Sequence, residues 1–65
     1  MTIVLNGDPY ETTSATIQAL AAELTPAPET LLIEHNGLAL HRSEWAGGTL
    51  REGDRIEILR VAAGG

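Results

Sequence analysis

Arg55-Ile56-Glu57-Ile58-Leu59-Arg60-Val61 decides how this chain folds. Charged and apolar residues interleave and β-branched residues recur, so the stretch reads as a β-strand. The two-residue period turns Ile56 and Ile58 inward and Glu57, Leu59 and Val61 outward. Glu52-Gly53-Asp54, directly before it, reads as a tight turn whose acidic residues serve turn chemistry and solubility. After it the chain thins to Ala62-Ala63-Gly64-Gly65, with no side chain larger than a methyl group.

Ile3-Val4-Leu5 is a second strand-like run, with Met1, Ile3 and Leu5 on one face and Val4 on the other. Asn6-Gly7-Asp8-Pro9 reads as a turn, because Asn-Gly supplies the positive φ angles of a tight hairpin. Tyr10-Glu11-Thr12 then returns as a strand. The period lengthens at Ile17, Leu20, Ala21 and Leu24, which fall at i, i+3, i+4 and i+7 and form one helical stripe. Ser14 or Thr16 can cap this helix, and Thr16, directly before Ile17, is the preferred residue. Pro26 and Pro28 end it. Leu31 to Asn36 reads as a third strand. Asn36-Gly37 is a second hairpin signal, and Leu38 to Arg42 is the returning strand. Ser43 to Gly48 is irregular, with a short turn that packs Trp45, and Leu50 returns to the core.

The order is β-β-α-β-β-β. Sixty-five residues hold one small domain, which buries only ~60% of the surface its unfolded chain exposes. One helix laid across one face of a mixed sheet is the natural α+β packing. The first and last strands are the most continuous apolar ones. They are expected side by side and parallel at the sheet centre, which is a β-grasp (ubiquitin-like) fold of about five strands. Residues 1–61 form the domain, and residues 62–65 form a flexible tail.

Nine acidic residues against four basic ones give a net charge of −5. All four basic residues are arginines. Such a surface repels the phosphates of nucleic acid and of anionic membranes, and suits a basic protein partner. No signal peptide is indicated, and no apolar run approaches the ~18 residues that cross a bilayer, so a cytoplasmic protein is expected. There is no cysteine for a disulfide or a thiolate metal site.

Catalysis needs a nucleophile, an acid–base pair or a metal cluster. Ser14 and Ser43 have no partner that the sequence places. His35 and His41 lie six apart across a turn, without metal-ligand spacing. Gly47-Gly48 precedes Thr49-Leu50 and another turn, not the helix that a phosphate-cradling loop requires. No catalytic residue and no metal site are expected.

Two readings of Gly64-Gly65 stand side by side. Chain ends are commonly disordered, and small residues there are ordinary. Alternatively, the thread enters another protein's active site and the carboxylate of Gly65 is the reacting group. A carboxylate becomes an acyl donor only once it is coupled to a good leaving group such as a nucleotide phosphate. An end slim enough for a nucleotide site favours glycine, which has no Cβ to obstruct the backbone. Outward Leu59, with Val61 and with Leu32 if it too faces out, would form a contact patch beside that end, although single exposed apolar residues are also normal.

Ile3-Val4-Leu5-Asn6-Gly7, Thr16-Ile17, Asn36-Gly37, Arg42-Ser43-Glu44-Trp45, Gly53-Asp54-Arg55-Ile56-Glu57-Ile58 and the final Gly64-Gly65 occur in this order. With them the chain resembles the ThiS-type sulfur carriers of thiamine biosynthesis, which are small ubiquitin-like β-grasp proteins. The resemblance implies a protein co-substrate rather than an enzyme. It implies that a ThiF-type partner uses ATP and magnesium to adenylate Gly65, with Gly64 keeping the approach narrow. Sulfur from a donor such as a cysteine desulfurase then gives a thiocarboxylate, which supplies thiazole synthase. One departure is His41, where the family often has proline before the arginine matching Arg42, so the local loop is expected to differ. The fold is shared by MoaD-type carriers, which tend to be longer, and by ubiquitin-like modifiers that join target lysines. An inert β-grasp interaction module is a further class.

Overall fold

The computed structural model describes residues 1–60. Elements follow the expected order. Strand β1 is Thr2–Leu5, β2 Asp8–Glu11, helix α1 Ile17–Leu24, β3 Leu31–His35, β4 Leu38–Leu40 and β5 Arg55–Arg60. They form one five-stranded sheet in the order β2-β1-β5-β3-β4. The β1 and β5 strands run parallel at its centre, Val4 facing Arg55 and Leu5 facing Ile56, while every other pairing is antiparallel. This is the β-grasp arrangement.

Both hairpins turn on Asn-Gly. Asn6 and Asn36 have φ of 49° and 52°, and Gly7 and Gly37 have 87° and 86°, the double positive φ that such two-residue loops require. The first turn is tighter than expected, because β2 begins at Asp8 rather than Tyr10. Pro9 sits inside that strand opposite Val4. The strand tolerates it because β2 is an edge, where a missing N–H leaves no ladder bond unmade.

The helix starts and stops where its residues dictate. Thr16 Oγ1 accepts the Ala19 N–H at 3.1 Å. Two further first-turn donors are taken up by a distant segment: Ile17 N–H by the Gly48 carbonyl at 2.8 Å and Gln18 N–H by that of Trp45 at 3.1 Å. Residues 45–48 therefore close the helix N-terminus, whose donors otherwise lack partners. Gly48 lies so close that a Cβ there would come 2.9 Å from Ile17 Cγ1. At the other end, Thr25 N–H still reaches Ala21 O at 3.2 Å before Pro26 stops the pattern.

Ile3, Ile17, Leu20, Ala21, Leu31, Ile33, Trp45, Leu50 and Ile56 form one buried cluster. Full burial of each large aliphatic side chain contributes about 1.5–3 kcal/mol relative to exposure. Leu5, Tyr10, Leu24, Leu40 and Ile58 pack around its margin.

Strand β4 ends at Leu40 instead of continuing to Arg42. A 3-10 turn over Arg42–Glu44 takes its place. Its start is fixed by His41, whose backbone N–H donates to Glu44 Oε1 at 2.8 Å. A proline at this position would have no such N–H. A further 3-10 turn, not anticipated from the sequence, covers Pro28–Thr30 before β3. The end of the last strand at Val61 and the tail over 62–65 lie outside the described residues.

Candidate functional site: the uncovered sheet face

The core residues of β1, β3 and β5 share one side of the sheet, and strand alternation turns their neighbours to the other. On that second side Leu32 and Leu59 stand directly opposite one another across β3 and β5. They are 56% and 66% exposed, too open to be core, and form one apolar patch. Glu34 and Glu57 form the next pair on the same face, with Ala39 of β4 alongside Glu34. Leu32, Glu34, Ala39, Glu57 and Leu59 line a shallow groove of about 500 Å³. Leu38, 67% exposed, is another large apolar surface residue, which strand periodicity did not single out.

Strand β5 is held in place by the side chains of both turn asparagines. Beyond β1, the Asn6 carboxamide accepts the Ile58 N–H at 2.7 Å and donates to the Ile58 carbonyl at 3.2 Å. The Asn6 backbone N–H adds a bond to the Ile56 carbonyl at 2.9 Å. A side-chain amide thus lengthens the parallel ladder past the end of its own strand. Asn36 does the corresponding work at the start of β5, accepting the Arg55 N–H at 2.8 Å and donating to Asp54 Oδ1 at 3.2 Å. Leu59 is consequently presented from a strand tied on both sides. Gly65 lies six positions further along the sequence, a reach of at most about 22 Å in extended chain.

Asp54 and Glu52 do more than serve a turn and solubility. Asp54 Oδ2 accepts the Arg51 N–H at 2.9 Å, as turn chemistry demands, but it also meets His35 Nε2 at 2.8 Å. Burial pushes this carboxyl up. Hydrogen bonds with His35, Asn36 and the Arg51 N–H, together with the His35 charge interaction, outweigh burial and hold it below the usual aspartate range. Glu52 Oε1 accepts the Thr2 N–H at 3.0 Å.

Ser14, unpartnered in the sequence, joins a carboxylate hub on the opposite side of the molecule. Its hydroxyl and that of Thr12 each donate to Glu23 Oε1 at 2.7 Å, and the Tyr10 hydroxyl donates to Oε2. The Tyr10 bond, then those of Thr12 and Ser14, hold the Glu23 carboxyl below its ordinary value. The Tyr10 hydroxyl is correspondingly raised, by the same bond first. This hub ties the β2–α1 connection to the helix. It lies apart from the groove, and its lowered carboxyl is a weak base toward the hydroxyls that donate to it.

Among the described residues no three His, Cys, Asp or Glu side chains gather to hold a metal ion, and no helix is long and apolar enough to cross a membrane. Leu32 and Leu59 are brought together. Val61, Gly64 and Gly65 lie outside the described residues.

This sheet order, with one helix on one face and an apolar patch on the other, defines a ubiquitin-like β-grasp protein. The chain belongs to the ThiS family, whose model matches residues 3–65. It superposes on the crystal structure of a thiamine biosynthesis protein (ThiS) from Geobacter metallireducens with a TM-score of 0.82. That match has 29% identity and covers all of both chains. It is also 33% identical over 66 residues to a thiazole synthase from Magnetococcus marinus. All of this chain takes part in that match but only 20% of the relative does, so the chain spans about a fifth of that protein's length.

Proposed function

We propose that this chain is a sulfur carrier of thiamine biosynthesis, a protein co-substrate and not itself an enzyme. The observation that carries the reading is the family match, which spans residues 3–65 and so includes Gly64 and Gly65. The domain serves as a handle, and Gly65 is the acyl end on which a partner works.

The chemistry follows from what a carboxylate needs. A ThiF-type enzyme holding ATP and magnesium lets the Gly65 carboxylate attack the α-phosphorus, and pyrophosphate leaves. The terminal sulfur of a persulfide, supplied by a cysteine desulfurase, then attacks the acyl carbon and expels AMP. A thiol cleaves the resulting acyl disulfide, taking the second sulfur into a disulfide of its own and releasing the thiocarboxylate. That thiocarboxylate donates sulfur for the thiazole ring. The relative named thiazole synthase, matched over a fifth of its length, supports such a synthase as the acceptor. The absence of a Cβ at Gly64 and Gly65 suits entry into a narrow nucleotide site. The adenylating step needs ATP and the sulfur transfer needs free thiols, both supplied by the cytoplasm, which supports that compartment as the carrier's working place.

Leu32 and Leu59 are the docking contact, since they form an exposed apolar patch across β3 and β5, and β5 is the strand that precedes the tail. The test incubates the protein with a ThiF-type enzyme, ATP, magnesium and a sulfur donor, then measures intact mass. Exchange of oxygen for sulfur adds ~16 Da, the same as oxidation of Met1, so the shift must be mapped to the C-terminal fragment. Removing Gly65 is expected to abolish the shift and leave the fold intact. Equal conversion of the truncated protein would end the carrier reading. Leu59→Asp is expected to weaken binding to the adenylating enzyme with little change in stability, because the side chain is already exposed, and unchanged affinity would remove it from the interface.

A further inference from the structure

We infer that the groove over β3, β4 and β5 receives an arginine or lysine side chain of the adenylating partner, seated between Glu34 and Glu57 and flanked by apolar groups resting on Leu32 and Leu59. This rests on the carrier reading and names what that partner must present.

The register of β3 against β5 sets Glu34 directly opposite Glu57. Like charges in that relation weaken a sheet, so a neutral residue at either position would suit the isolated domain better. Neither carboxylate takes part in an ion pair among the described residues. Arg55, the cation two positions from Glu57 on the same face of β5, is not within ion-pair distance of either one. The repulsion is thus left standing on the one sheet face that the helix does not cover.

The neighbours of the acid pair define the ligand. Along the strands the exposed Leu32–Leu59 pair lies next to it, and laterally, on β4, Glu34 is flanked by Ala39, small enough to leave the groove open. Carboxylates beside an apolar strip match a long cationic side chain, whose methylene stem packs on the leucines while its head meets the acids. A guanidinium suits the position best, because its fork of donors can bond both carboxylates at once.

The partner's chemistry points the same way. An enzyme that holds a terminal carboxylate against the phosphates of ATP brings two anions together, so the approach to its site must be cationic. A domain of net charge −5, with Glu57 eight positions before Gly65 in the sequence and Glu34 paired opposite it, is drawn to that approach.

Glu34→Gln, Glu57→Gln and the double variant test the inference, with binding to a purified ThiF-type enzyme followed by calorimetry at low and high salt. Each single change is expected to weaken binding about tenfold, and the double variant to lose most of the salt dependence. Urea unfolding of the same variants is expected to show domains at least as stable as the parent. Parent-like binding by the double variant, with Leu59→Asp still weakened, would overturn the inference and leave the carrier reading intact. So would a double variant less stable than the parent, or one that loses affinity for thiazole synthase alone. Failure of the unaltered protein to be adenylated would instead defeat the carrier reading itself.

Discussion

Asn6→Gly isolates the contribution of a side chain that extends a ladder. Glycine accepts the φ of 49° at this position, so the turn survives the change. What disappears is the pair of bonds to the Ile58 N–H and carbonyl, at 2.7 Å and 3.2 Å. Two such bonds contribute about 1–3 kcal/mol in sum. Asn6 is exposed, water replaces part of what is lost, and the longer bond is the weaker, so about 1 kcal/mol is the expected loss. The entropy glycine adds to the unfolded chain and the relief of a left-handed asparagine are of similar size and opposite sign. In a domain this small, 1 kcal/mol lowers Tm by roughly 4–8 °C. Thermal unfolding gives the total, and amide hydrogen exchange gives the location, since the Ile58 amide must exchange faster. An unchanged Tm together with unchanged protection of Ile58 would refute the idea that the carboxamide holds β5.

Gly48→Ala places a methyl group 2.9 Å from Ile17 Cγ1, where the loop closes the helix N-terminus, and is expected to cost about 1–3 kcal/mol in urea unfolding. Asp54→Asn removes a carboxylate whose folded pKa is depressed. Its contribution to stability is complete above the unfolded aspartate value and fades as pH falls through the lower folded value. The variant is therefore expected to be less stable at neutral pH and to lose less stability on acidification, as a pH series of urea midpoints would show.

What the sequence disclosed and what it withheld have separate physical causes. The alternation in Arg55–Arg60 and the stripe at Ile17, Leu20 and Ala21 are local periods, and local periods translate directly into faces. Those faces, with two Asn-Gly turns, led to the right element order, to β1 and β5 side by side at the sheet centre and to the outward Leu59, while leaving the side of Leu32 open. Asn-Gly also concealed something. A turn accounts for both residues so completely that nothing suggested the two carboxamides had partners on a strand more than fifteen residues away. Asp54 misled in the same manner, because its bond to the Arg51 N–H is local while its contact with His35 spans 19 positions. Pro9, read as the end of the turn, belongs to β2, where an edge position tolerates its missing N–H. The opposition of Glu34 and Glu57 depends on register between strands and is written in neither segment alone.

The placement of β5 bears on how the molecule is made. Among the described residues it is the last strand to be synthesised, yet it lies between β1 and β3 and joins the two hairpins. A nascent chain that stops short of it has only a pair of separate ribbons, each marginal in water on its own. Assembly therefore waits until β5 itself has been translated, and a product halted before it remains fodder for proteases instead of becoming a decoy that competes for the partner.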